Sequence, residues 1–385
     1  MRERKKKSWI KQLTRVGFLL LLGVTIYFVT NVLRIKSEHG INQQAGLYWQ
    51  RGDSIDVAAM GTSHVHCGVN TGLLWEKYGI AAYDYSGAEQ PLWMTWYYMR
   101  ELYKYQTPKM ILLDLYAPAR FKEDYQYDWI SENIYGMRFS LNKLRMLSVS
   151  VEPSRLHQYF PSFAVYHSRY DELEEEDFNH FFWDSQEKEA FKGFTPYWKR
   201  TPQHRPEISE EERDGLSAKS EKYLRKIIAL AREKGTELVL IVVPYVETNQ
   251  DRRTYNQIMD IAAREGVTFI DYNEYYDEMG IDFQEDFNDE SHLNYWGSCK
   301  FTDFLGEFLA SHDEIPDRRG QEGYESWEEN ARIIRREAVD HGEGLLNSSP
   351  QTHTSDISRR LPPGGRPAPS PLPPGLSSDT AEKSG

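Results

Sequence analysis

The 385-residue chain is nearly without cysteine, holding only Cys67 and Cys299. That scarcity excludes a disulfide-stapled extracellular scaffold, and a chain of this length buries an adequate core without staples. Free thiols are the expectation, although a bridge between the two stays open because connectivity is not readable from sequence. Net positive charge is confined to the N-terminus: residues 1–35 carry +7, which leaves −20 on the remainder of a chain whose net charge is −13. This balance disfavours nucleic acid as a partner. It also gives no general attraction to anionic wall polymers, so such a substrate would need a local site. No internal repeat of about 20–50 residues is visible. His64, His66 and His292 have no carboxylates or thiols paired with them at ligand spacing, so neither a metal nor another cofactor is expected.

The N-terminus has instead an eighteen-residue run without charge, Val16 to Leu33, behind Arg2, Arg4, Lys5, Lys6, Lys7, Lys11 and Arg15. At about 1.5 Å per residue it reaches roughly 27 Å, close to the hydrocarbon thickness of a bilayer, and the basic flank stays cytoplasmic by the positive-inside rule. Thr30-Asn31-Val32-Leu33 offers no small-x-small cleavage site, which favours an uncleaved anchor over a signal peptide. The expected organisation is a cytoplasmic segment 1–15, a transmembrane anchor 16–34, an extracytoplasmic domain 35–315, a C-terminal extension 316–345 and a disordered Pro/Gly/Ser-rich tail 346–385. The expected localisation is the cell membrane, crossed once.

Five apolar runs predict strands: Ile55–Met60, Ile80–Tyr85, Lys109–Leu115, Glu237–Val243 and Val267–Asp271. Helical stretches Thr71–Tyr78, Pro91–Tyr105, Ser217–Lys234 and Asn249–Glu265 supply crossovers, and Tyr295–Ser311 closes the domain. The fold class is therefore α/β, a three-layer, five-stranded, doubly wound parallel sheet. Residues 120–214 form an insertion between strands three and four, too long for a plain loop. Its Trp129, Phe160, Phe181, Phe182, Trp183, Tyr197 and Trp198 either line a groove or pack, with packing the better reading. The acidic run Asp171–Asp177 reads as a solvated face.

Chemistry concentrates where ligands bind in such sheets, beyond the C-terminal strand ends. Ser63, in Gly61-Thr62-Ser63-His64, follows the first strand; Gly87 follows the second; Asp289-Glu290-Ser291-His292 follows the last. A serine hydroxyl, an imidazole to take its proton and a carboxylate to hold that imidazole are the parts of a nucleophilic acyl-transfer site. Asp289 three residues before His292 can orient the ring, while Asp286 competes for that role and His64 shapes the nucleophile turn. Asp114, at a strand end, reads either as a buried hydrogen-bonded residue or as a substrate contact.

With these residues the chain resembles the SGNH (GDSL-type) hydrolases over roughly residues 50–312. The resemblance implies Ser63 as nucleophile, His292 as base, Asp289 as its acid, and an oxyanion hole built from the Ser63 and Gly87 amides. The anchor, the Gly87-Ala88-Glu89-Gln90-Pro91 segment and the His292-Leu293-Asn294 ending are more similar to a membrane-anchored subgroup that works beside membrane-bound O-acyltransferases. That subgroup includes teichoic-acid D-alanylation and alginate-acetylation proteins. It implies a serine esterase or O-acyltransferase acting on acylated cell-envelope polymers or small esters, with a membrane-bound O-acyltransferase as partner. One block departs from the pattern: the family's Gly-x-Asn-Asp after strand three is replaced by Leu113-Asp114-Leu115-Tyr116-Ala117-Pro118. Gln90 is the candidate third oxyanion donor, its other reading being a polar helix N-terminus. A protein of this fold that presents substrate to an acyltransferase without catalysing is the alternative.

Overall fold

The computed structural model describes residues 2–35, 40–160, 163–179 and 189–341. Five strands, β1 (Val57–Met60), β2 (Ala82–Asp84), β3 (Met110–Asp114), β4 (Glu237–Val242) and β5 (Thr268–Asp271), form one sheet in the order β2-β1-β3-β4-β5. Every pairing is parallel, with Ala58 opposite Tyr83 on one side and Ile111 on the other. Each strand lies within an apolar run read from the sequence. Each is shorter than its run by one to three residues in all because pairing stops where neighbouring strands stop.

Alternate strand residues feed two cores. Ala58, Met60, Ile111, Leu113, Leu240 and Val242 pack beneath helices Leu92–Leu102, Ala218–Lys234 and Asn249–Glu265. Val57, Ala59, Leu112, Val239 and Ile241 pack beneath helices Ser63–Gly68, Thr71–Tyr78 and Tyr295–Ala310. Helices on both faces explain why the strands carry continuous rather than alternating apolar residues. Local capping fixes their starts: the side chains of Asn70, Ser217, Thr248 and Asn294 each accept from an amide three residues on.

One region differs from the sequence expectation. The segment after residue 315, set apart there as an extension, carries the helix Glu325–Asp340, whose Trp327 and Ala331 belong to the main core. Trp327 is fully buried, donates its indole N–H to the Ala82 carbonyl of β2 at 3.1 Å, and lies under the Lys192 ammonium at 3.7 Å. The insertion folds as short helices, including Glu132–Tyr135 and Leu141–Ser150, and then returns along the sheet edge. Its return is stitched by amides of Asp84 to Lys192, Thr195 to His66 and Tyr295 to Tyr197. Most of the acidic run is exposed as expected, but Asp177 is buried against Arg169. Residues 342–385, and with them the expected tail, lie outside the described residues.

The N-terminal helix runs from Arg2 to Leu33, and its stretch Trp9–Leu33 is long and apolar enough to cross a membrane.

Candidate active site

Ser63 is delivered by a turn with little steric freedom. Gly61 has φ +147°, and a Cβ there would lie 2.8 Å from the Asp114 Cβ, so glycine is what lets the ends of β1 and β3 approach. Thr62 caps the helix that follows: its hydroxyl accepts from the His64 amide and donates to the Asp114 carboxylate at 3.2 Å. Ser63 is then the first helical residue, half-buried, and its own amide has no acceptor inside the helix.

The histidine comes from a self-braced loop. Phe287 and Leu293 form an isolated antiparallel bridge, and the Asn288 amide donates to the His292 carbonyl at 2.8 Å. Inside this turn Asp289 Oδ1 accepts from the amides of Ser291 (2.8 Å) and His292 (3.0 Å). The same oxygen lies 2.9 Å from His292 Nδ1, and Oδ2 accepts from the Asn288 side-chain amide at 2.8 Å. A carboxylate only accepts, so Nδ1 carries the ring proton and Nε2 presents its lone pair. That lone pair faces the Ser63 hydroxyl, with Oγ and Nε2 2.8 Å apart. Partial burial opposes ionisation of Asp289, but the hydrogen bond and charge of His292, the Ser291 amide and Asn288 outweigh it and hold this carboxyl well below the usual range.

The three residues singled out in the sequence therefore meet, and the arrangement can activate a hydroxyl for attack on an acyl carbonyl. Comparison with models of known families and with curated proteins gives no match. The chemistry of this site is accordingly read from its own atoms.

Asp286, the competing acid, is occupied elsewhere. It is buried, accepts from the Asp282 amide, and pairs with Lys300 Nζ at 2.6 Å. It anchors the loop to the helix Tyr295–Ala310.

Asp114 is the buried, hydrogen-bonded residue of its two readings. Besides Thr62 it accepts from the amides of Val243 (3.3 Å) and Tyr116 (3.4 Å). Burial pushes its carboxyl up to about 7 against those hydrogen bonds. The folded state thus holds this proton more tightly than the unfolded chain, and the associated stability is lost as pH rises from about 4 through 7. In an Asp114→Asn variant that slope should disappear. Denaturant titrations of both proteins should show the stability difference moving toward the variant by up to ~4 kcal/mol between about pH 4 and pH 8. Parallel pH profiles would refute the assignment.

The oxyanion donors differ from expectation. Gly87, expected to offer a free amide, donates that N–H to the Gly61 carbonyl at 3.2 Å. Gln90 uses Oε1 to accept from the Thr95 hydroxyl at 2.8 Å. Its Nε2 is buried near the Tyr98 hydroxyl and Gly87, without an acceptor in hydrogen-bond geometry. It is a donor beside this loop that faces the Tyr98 oxygen. A Cβ on Gly87 would fall 1.9 Å from Asn133 Oδ1, whose own amide holds the Ala88 carbonyl at 2.7 Å. Gly87→Ala should displace Asn133 and lower stability by roughly 1–3 kcal/mol, read by thermal or denaturant unfolding. An unchanged midpoint would mean the loop has room to spare.

Sequence reasoning missed several neighbours. Tyr116, two residues past Asp114, bonds the Ser291 hydroxyl at 3.0 Å and stacks on His64 with ring centroids 3.6 Å apart. His64 in turn lies 5.3 Å from the His292 ring, and burial pushes its pKa well down, so it packs as a neutral wall of the nucleophile turn. Tyr197 meets His292 edge-on at 5.5 Å. Glu89 adopts φ +48°, in the left-handed region, accepts from Gln126, and has its pKa raised by partial burial. Position after a strand end was the available signal for Tyr116; Glu89 stood within the Gly87–Pro91 segment noted in the sequence but was given no role there. Trp198 stacks on Tyr295 and His341, as packing predicts, whereas Trp129 and Phe160 are exposed. Phe181, Phe182 and Trp183 lie outside the described residues. Cys67 and Cys299 form no disulfide, and Cys67 is buried. Among the described residues no three His, Cys, Asp or Glu side chains converge as a metal site.

Proposed function

We propose that this protein is a membrane-anchored, extracytoplasmic serine esterase or O-acyltransferase, with a doubly wound SGNH-like domain, acting on ester groups of cell-envelope polysaccharide or polyol polymers. The observation carrying this reading is the 2.8 Å approach of Ser63 Oγ to His292 Nε2, with Asp289 behind the ring. His292 takes the hydroxyl proton as Oγ adds to the acyl carbonyl. The resulting imidazolium is held by Asp289 and returns the proton to the departing alcohol, which leaves an acyl-serine. A second hydroxyl, from water or a sugar, then reverses the sequence. The Ser63 amide is the donor on the nucleophile itself for the oxyanion; Gln90 Nε2 would have to turn out of its buried seat to join it, and Gly87 if its turn releases Gly61.

The Gly87–Gly61 hydrogen bond is the observation that favours the second reading, a non-catalytic partner of a membrane-bound O-acyltransferase. Fluorophosphonate labelling of the detergent-solubilised full chain separates the two. Modification mapped to Ser63, together with acetyl-ester turnover, supports the enzyme. A folded chain that neither labels nor turns over ester supports the partner.

A further inference from the structure

The insertion carries an exposed apolar surface that the proposed chemistry does not use. Phe139 is 72 % exposed, Leu141 70 % and Phe160 46 %, and the rings of Phe139 and Phe160 stack at 6.4 Å. Three large apolar side chains clustered and open to water signal a surface that something covers. A continuous chain of contacts links them to the exit of the N-terminal helix. Arg169 donates to the Leu33 carbonyl at 2.5 Å. Three residues before it, buried Tyr166 meets Tyr135 with ring centroids at 5.3 Å, and the Tyr135 hydroxyl bonds the Tyr159 carbonyl next to Phe160. Basic residues rim the cluster: Arg138 and Arg145 are exposed, and Arg138 lies over the Tyr48 ring at 4.3 Å.

We infer that Phe139, Leu141 and Phe160 seat in the outer leaflet of the bilayer beside the chain's own anchor, with Arg138 and Arg145 at the lipid headgroups. This rests on the reading of Trp9–Leu33 as a membrane span. The occupant is lipid because the cluster adjoins the point where that span ends, and because aromatic and aliphatic tips flanked by arginine suit an anionic interface. The neighbouring acidic run Asp171–Asp177 limits the seat to the 138–145 and 160 side, since anionic headgroups repel carboxylates. The seat also reaches the candidate site. The short helix Glu132–Tyr135 carries both Tyr135 and the Asn133 that holds the Ala88 carbonyl, so one helical turn joins the lipid side to the rim of the oxyanion loop.

The test uses the full chain reconstituted at one copy per vesicle in phosphatidylcholine with phosphatidylglycerol. Single cysteines at Phe139→Cys, Leu141→Cys or Phe160→Cys carry an environment-sensitive fluorophore in a Cys299→Ser background. Cys67 is buried with its thiol pKa pushed up, so it stays unlabelled. Leu20→Cys reports the span, and Glu233→Cys, on the exposed side of the helix Ala218–Lys234, reports water. The expected result is blue-shifted emission at 139, 141 and 160, quenched by brominated lipid as at 20, with none at 233. Adding Arg138→Glu and Arg145→Glu should weaken that quenching. Probes at 139, 141 and 160 that behave like 233 while 20 is quenched would overturn the seat and leave the anchor intact. An unquenched probe at 20 would overturn the anchor and the seat together. A blue shift without bromine quenching would mean that protein covers the patch, which also overturns it.

Discussion

Ser63→Ala and His292→Ala should each reduce acyl-ester turnover by on the order of 10⁴–10⁶-fold, and the double variant should be no worse than either alone. The two groups act as one device. Without the ring, the Ser63 hydroxyl keeps its proton; without the hydroxyl, the Nε2 lone pair has nothing to activate. Asp289→Asn should cost less, about 10³–10⁴-fold. The reason lies in its hydrogen bonds. Oδ2 accepts from the Asn288 side chain while Oδ1 accepts from two amides and faces Nδ1. An amide group at 289 must therefore set a donor either against Asn288, or against the ring proton and the amides of Ser291 and His292 together. Relief of the second clash moves that proton to Nε2, which then donates to Ser63 instead of accepting. Turnover of a chromogenic acetyl ester, with labelling at Ser63, measures all four variants. Additive losses in the double variant would show that the two side chains do not work together.

Trp327→Ala should destabilise the domain by roughly 3–5 kcal/mol, the usual loss for truncating a fully buried aromatic side chain. The indole fills core space shared with Trp75 and Tyr324, and its N–H satisfies the Ala82 carbonyl. It also forms the floor for Lys192, a fully buried lysine whose Nζ donates to Gln50 Oε1, the Glu189 carbonyl and Ser326 Oγ. Burial drives the Lys192 pKa down, yet three oxygen acceptors and an indole face all favour its charged form. Lys192→Met should therefore also destabilise, and the double variant should lose less than the sum because the two side chains share one contact. Denaturant unfolding of the four proteins gives the coupling. The loss would fall on a domain whose whole stability is typically about 5–15 kcal/mol. It would also reach the candidate site, because Trp327 braces β2 and the chain leaving β2 carries Gly87 and Gln90.

The sheet was legible because buried parallel strands must be apolar on both faces, and residues such as Leu238–Val242 have no other comfortable state. Helices Thr71–Tyr78 and Asn249–Glu265 match their sequence bounds because Asn70 and Thr248 cap them and Gly79 and Gly266 end them in the left-handed conformation. The meeting of Ser63, Asp289 and His292 was legible because a serine turn follows the first strand and an Asp-x-x-His spacing follows the last, a placement that the family resemblance matched. The helix Glu325–Asp340 was readable too, since Trp327, Ala331, Ile334 and Ala338 recur at helical spacing, but its place beyond the closing helix hid its role in the core. The four-residue helices of the insertion are too short to show any period. The engagement of the Gly87 amide depends on how two loops approach across the sheet edge, and no sequence pattern encodes that distance.

The proposed acid and base of this site arrive as a prefabricated piece. Asp289 ties its own turn through the amides of Ser291 and His292, so much of the aim of the imidazole is fixed within the loop itself. What the remaining tertiary structure must set is a single gap, the one across to residue 63. Slight sliding of the closing helix would then tune activity along one coordinate while leaving the aim of the ring intact.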